Sequence, residues 1–198
     1  MRYHLLGFHD APLRQLRAIR QCLVWLVLAS AGACVQAQDG VRSLALPAAS
    51  VSAAVVQTVV GILGYTRWPV EASPVQLCLA GETAHAQPLL TTKSLQDGRK
   101  LLVRRISIEE AQPLNGCHAL YAGRLPPGAW QRLMATWPVG QPLLTLSEVA
   151  LDCAAGGTFC LDISAQGVSF ELNLDSMARS GVRVNPRVLG LARRKEGA

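Results

Sequence analysis

The stretch "DCAAGGTFCLDIS" (152–164) sets Cys153 and Cys160 seven positions apart around the pair Gly156-Gly157, and Cys78 and Cys117 stand 39 positions apart upstream. What these cysteines do depends on the compartment, so the N-terminus is read first. Arg14, Arg17 and Arg20 precede an uncharged apolar run, "CLVWLVLASAGACV", which ends at Val35-Gln36-Ala37. That order of charge, apolar run and small-x-small site predicts a secretory signal peptide over 1–37. An uncleaved anchor and lipidation at Cys34 are the alternatives. Ala31 stands where lipidation signals usually carry Leu, and the run is shorter than the ~20 apolar residues a bilayer span needs.

Removing 1–37 leaves four of the six cysteines. An even number in an exported chain points to disulfides, because oxidising compartments form them. Four cysteines allow three pairings. Cys153–Cys160 is the natural local pair, since the glycines let the chain fold back within seven residues, and Cys78–Cys117 follows by elimination. On loop entropy the short bridge contributes about 2.5 kcal/mol and the long one about 4 kcal/mol. A four-cysteine zinc site is the alternative, but it usually needs C-x2-4-C knuckles, and neither spacing provides one. The thioredoxin-type C-x-x-C is absent as well.

The whole chain carries a formal charge of +6, of which the leader's four Arg and one Asp supply +3. The rest is scattered, apart from Arg104-Arg105 and "RRK" at the tail. It forms no basic stripe, so no nucleic-acid partner is expected. Residues 38–198 suit one domain with its own core, and no second apolar run of membrane length is expected in it.

Periodicity predicts a helix over 52–68 with Ser52 as N-cap. Strands are predicted over 75–81, 98–108, 117–123 and 141–148, and a helix over 125–137 after Pro126-Pro127. "TFCLDIS" and "VSFELNL" flank Ala165-Gln166-Gly167 and read as a β-hairpin. The tail over 174–195 reads as helical with a break near Gly181 and Pro186. Alternating strands and helices with a late hairpin give an α/β class: a layered sandwich with a mainly parallel mixed sheet, flanking helices and two disulfides. In that frame Cys78 and Cys117 clip core strands, and the Cys153–Cys160 loop is exposed.

Catalytic constellations are thin. His85 and His118 read as a helix start and a satisfied core or surface residue. Glu109-Glu110 reads as another helix start, and Asp152 and Asp162 as turn residues. Ser147-Glu148, Ser164 and Ser169 lack the G-x-S-x-G elbow, and no P-loop or G-x-G-x-x-G is present. No enzyme, metal or cofactor is expected.

Over 55–193, "VVGILGYTRWPVE", "VQLCLAG", "VSFELNLDSMARSGVRVNPRVL" and both cysteine spacings resemble the YfiR family of small periplasmic proteins from Gram-negative bacteria. The resemblance implies a periplasmic repressor that binds the sensor domain of an inner-membrane diguanylate cyclase, YfiN, and restrains cyclic di-GMP synthesis and biofilm formation. It also implies sequestration by a YfiB-like outer-membrane lipoprotein, homodimerisation, redox-sensitive disulfides in the same two pairings, and an arginine-lined pocket for small anions or aromatics. Arg67 and Arg183 match that pocket, with Asn185 standing where a relative has histidine. Arg67 equally suits a helix end, and Arg183 an ion pair with Asp175 or Glu171. Trp68 and Trp137 read as core plugs. Val182, Val184, Val188 and Leu189 are read as a partner-binding tail surface. The other reading is a periplasmic ligand-sensing protein with a different membrane partner.

Overall fold

The computed structural model describes residues 47–149 and 153–192. The signal-peptide region, Asp152 and the terminal "RRK" lie outside the described residues. Helix α1 spans Ala48–Tyr65. It starts a turn earlier than the pattern predicts, because Pro47 takes the N-cap and the Ser50 hydroxyl donates to Pro47 O at 2.7 Å. Ser52 therefore sits inside the helix, with its Oγ 3.3 Å from His85 Nδ1. Val51, Val55, Val59 and Ile62 recur at helical spacing and are buried. By length and hydropathy (1.6) α1 could also cross a membrane, and no such second run was expected. Eight of its 18 residues are buried against the rest of the fold, as in a core helix.

A two-residue strand β1, Thr66–Arg67, follows α1. The main strands are β2 (Val75–Ala80), β3 (Leu101–Arg105), β4 (Ala119–Ala122), β5 (Leu144–Ser147), β6 (Phe159–Ser164) and β7 (Gly167–Leu172). They form one sheet in the order β3-β2-β4-β5-β6-β7. The pairs β2–β3, β2–β4, β4–β5 and β5–β6 are parallel, and β6–β7 is the antiparallel hairpin. This is the expected mainly parallel sheet. β4 is a continuous apolar run, and β4 and β5 are buried at every position, because both faces of the central strands are covered.

One face packs α1, a short 3-10 turn (Gln87–Thr91) and the tail around Val59, Leu77, Tyr121, Leu146 and Phe159. The other packs helix α2 (Ala129–Ala135) and the 106–118 loop around Cys78, Leu114, Leu120, Trp130 and Leu133. The tail holds α3 (Leu174–Arg179), a strand β8 (Arg183–Val184), a 3-10 turn (Pro186–Val188) and α4 (Leu189–Ala192). β8 replaces part of the predicted helical tail. It pairs antiparallel with β1, which stays outside the main sheet.

Glu109-Glu110 start no helix. Ser107 accepts from Glu109 N with its own hydroxyl at 3.2 Å, and its amide donates to Glu110 Oε1, so a local turn wins. His85 precedes the 3-10 turn instead of starting a helix.

Both expected disulfides are present, with Cα–Cα distances of 5.9 Å (Cys78–Cys117) and 5.5 Å (Cys153–Cys160). Cys78 and Cys117 are buried between β2 and the 106–118 loop; Cys117 lies just before β4, not on it. The short loop is less exposed than expected. Trp130 Nε1 donates to Ala155 O at 3.3 Å and holds it on α2, so Cys153 is buried and Cys160 half-buried.

Candidate ligand and partner surface

The last carbonyls of α1 have no partners within the helix. The Thr66 hydroxyl takes Ile62 O at 2.8 Å. Arg99 Nη2 donates to Leu63 O, Gly64 O and Thr66 O at 2.9–3.3 Å. Arg67 Nη1 donates to Gly64 O and Thr66 O at 2.7 and 2.9 Å. Two cations thus sit where the helix dipole favours them. Asp97 joins them, at 2.7 Å from Arg99 Nε and 3.3 Å from Arg67 Nη1. Burial pushes the Asp97 carboxyl up, but the hydrogen bonds and charge of Arg99, with Arg67 behind it, outweigh this and hold it below its ordinary value. The Arg99 guanidinium also lies 5.7 Å from the centre of the Trp68 ring.

The β1–β8 register places Arg67 directly opposite Arg183. The structure therefore brings together two arginines that are 116 positions apart in sequence. Like charges facing each other across strands repel. Asp97 compensates Arg67, whereas no ion pair joins Arg183 to Asp175, Glu171 or any other acid among the described residues. Arg183 is exposed and its charge is open to an anion. Asn185 sits at the end of the same ladder. Its amide donates to Tyr65 O at 3.0 Å, and its Oδ1 accepts from Arg187 N, capping the 3-10 turn.

The tail valines divide. Val182 and Val188 are core residues, 7% and 1% exposed, and Val184 packs half-buried against that core. Of the four residues read as a partner surface, Leu189 alone is largely exposed, at 44%.

Trp68 is buried, and its Nε1 donates to His118 O at 3.0 Å. Trp137 is half-buried beside α2. His118 Nδ1 accepts from Gln76 N at 3.0 Å, which ties the start of β4 to β2. Burial lowers the His118 pKa below 6.5. The unfolded chain therefore binds the proton more tightly, and His118 contributes stability that is whole above about pH 6.5 and is lost as pH falls through its folded pKa. Denaturant midpoints measured between pH 7.5 and 5 should fall, and a His118→Asn variant should show a shallower fall over the same range.

In open parallel sheets, ligands usually sit at the carboxyl ends of the strands where the strand order reverses. Here that point lies between β2 and β4, and backbone closes it. Glu82 N donates to Arg124 O at 3.0 Å, and Arg124 N to Glu82 O at 2.7 Å. Beside it the buried Tyr121 hydroxyl donates to Glu148 Oε1, while Glu148 Oε2 accepts from Ala84 N at 3.2 Å. Burial first, and then the Glu148 charge, push the Tyr121 pKa far up, so the phenol stays protonated. The reversal point is a packed joint. Among the described residues no three His, Cys, Asp or Glu side chains cluster to hold a metal.

A family model described as YfiR/HmsC-like matches residues 52–193, more than half of the chain. The chain belongs to the YfiR/HmsC-like family. The family is regulatory and non-catalytic, and membership supports a role as a periplasmic regulator. It also suggests, in general terms, a YfiN-like cyclase as the partner class. The match takes in the α1 C-terminus, both disulfides and the β1–β8 ladder of this YfiR/HmsC-like chain. Arg99 escaped the sequence reading because the carbonyls it serves lie 33–36 positions away. Its one local signal is the Asp97-Gly98-Arg99 turn, in which Asp97 Oδ1 accepts from Arg99 N.

Proposed function

We propose that this chain is exported by a signal peptide over 1–37 and that residues 38–198 act as a single-domain periplasmic repressor. Its target is the periplasmic domain of a YfiN-like inner-membrane diguanylate cyclase. A YfiB-like outer-membrane lipoprotein sequesters it, it works as a homodimer, and its disulfides make repression sensitive to redox conditions. The observation that carries this reading is the family match over 52–193. Blocking a cyclase needs a complementary surface and no chemistry. Of the tail residues, Leu189 offers the exposed apolar side chain that such an anchor requires.

A second reading, a ligand sensor with another membrane partner, is favoured by the facing Arg67 and Arg183. A small anion between them would relieve their repulsion and tie α1 to the tail. The two readings part on capture of the partner: cross-linking in intact cells should recover a membrane diguanylate cyclase under the first and a different membrane protein under the second.

Leu189→Asp should fold normally, because the side chain is largely exposed. Loss of an interface anchor is worth roughly 2 kcal/mol, so binding to the cyclase domain should weaken by well over tenfold. If folded Leu189→Asp binds and represses like wild type, the interface lies away from the tail. Charges at Val182 or Val188 give no such test, since they would break the core.

A further inference from the structure

We propose that an open cleft between α2, the start of β5, the disulfide loop and α3 is a second binding site, for a small monocarboxylate with a compact apolar body. The cleft is about 150 Å³, a volume that takes a benzene-sized molecule. It shares no residue with the Arg67–Arg183 pair.

Its chemistry has two sides. Met134, Trp137 and Leu143 supply an apolar wall. Among the other lining residues, Ser176 and Thr158 carry hydroxyls and Arg179 a cation. Ser176 is 6% exposed, and its Oγ has no hydrogen-bond partner. Buried polar atoms are nearly always paired, so an orphan of this kind calls for an explanation. Here it belongs to a residue that lines the cleft, with the oxygen itself sealed from solvent, so a bound carboxylate would meet it once the side chain turns outward. Thr158 is 2% exposed and accepts from Thr145 Oγ1 at 3.0 Å, which leaves its own proton free to donate. Arg179 is exposed and pairs with no acid among the described residues.

Two hydroxyl donors and one guanidinium suit one carboxylate, and the indole and thioether suit the apolar remainder. The Ser180 hydroxyl is already committed, donating to Met177 O at 2.7 Å. Gly156 and Thr158 belong to the Cys153–Cys160 loop, so a bound carboxylate would bridge that loop to α3.

The test is a titration of the purified protein with sodium benzoate, followed by amide and indole NMR shifts, with benzyl alcohol as the uncharged control. Saturable shifts are expected at 156–158, at 176–180 and at the Trp137 indole. Benzyl alcohol should bind about tenfold more weakly, Arg179→Gln should weaken benzoate by about tenfold or more, and Ser176→Ala by about fivefold. Ser176→Ala should also keep or raise the melting temperature, since it removes an unmet hydroxyl. The proposal is overturned if the shifts do not saturate, if they map to Arg67 and Arg183, or if both variants bind benzoate as wild type does. A lower melting temperature for Ser176→Ala would equally overturn it, by showing a structural partner for that hydroxyl.

Discussion

Replacing Cys78 and Cys117 together by serine is expected to lower the melting temperature by roughly 8–16 °C and to leave little protein in the periplasm. The bond closes 39 positions of chain, and loop entropy assigns such a closure about 4 kcal/mol. Both cysteines lie in the buried layer with Leu114, Leu120 and Trp130, 0% and 3% exposed, and Arg104 Nη2 approaches Cys117 Sγ at 3.5 Å. Serine at position 78 adds a buried hydroxyl among apolar side chains to the lost link, which deepens the loss. The Cys153→Ser/Cys160→Ser variant removes a closure of seven positions. It should cost about 2.5 kcal/mol, or roughly 5–10 °C, and remain folded.

The same geometry orders the two bonds toward a reductant. Cys160 is half-buried at the start of β6, whereas Cys78 and Cys117 are both buried. Thiol trapping with mass spectrometry during a reductant titration should therefore find Cys153 and Cys160 alkylated first. If Cys78 and Cys117 react first, access does not set the order. If Cys153→Ser/Cys160→Ser still represses fully, the short bond is a staple and carries no redox signal.

The second large effect is expected at the sealed reversal point of the sheet. A Cβ on Gly123 would lie 2.1 Å from Glu82 O, a backbone atom fixed by the hydrogen bond from Arg124 N. No rotamer change relieves a clash with backbone. Gly123→Ala should therefore cost about 3 kcal/mol, or roughly 6–12 °C in melting temperature. Gly64→Ala is the matched control: the site lies in α1 with nothing within 4 Å of the added methyl. It should be neutral or stabilising by about 0.5–1 kcal/mol. A Gly123→Ala protein as stable as wild type would show that this joint can open, and would reopen the carboxyl end of the sheet as a binding site.

The parts of the fold legible in the sequence are those written in local periodicity. The hairpin around Ala165-Gln166 matches the Ser164–Gly167 register, and the α1 stripe and the strands β2, β4 and β5 were all visible. Strand ends were less so. The predicted 98–108 strand shrinks to Leu101–Arg105, where partners on β2 run out. The β1–β8 ladder could not be read, because two residues carry no period and pairing depends on where the tail docks. The resemblance named Arg67 and Arg183, but only the register shows them face to face. Arg99, Glu148 and Ser176 left almost no local trace, since their partners, or the want of one, are set by elements distant in sequence. The four tail residues looked alike as a string, and docking alone separates the buried Val182 and Val188 from the exposed Leu189.

The most direct measurement is cyclic di-GMP in the native bacterium after deletion of this gene, alone and together with the gene of the cross-linked membrane cyclase. A repressor requires cyclic di-GMP to rise in the single deletion, to return when the full chain is supplied, and to stay at the basal level when the cyclase is deleted too. Unchanged cyclic di-GMP in the single deletion, or a rise that persists without the cyclase, would contradict it.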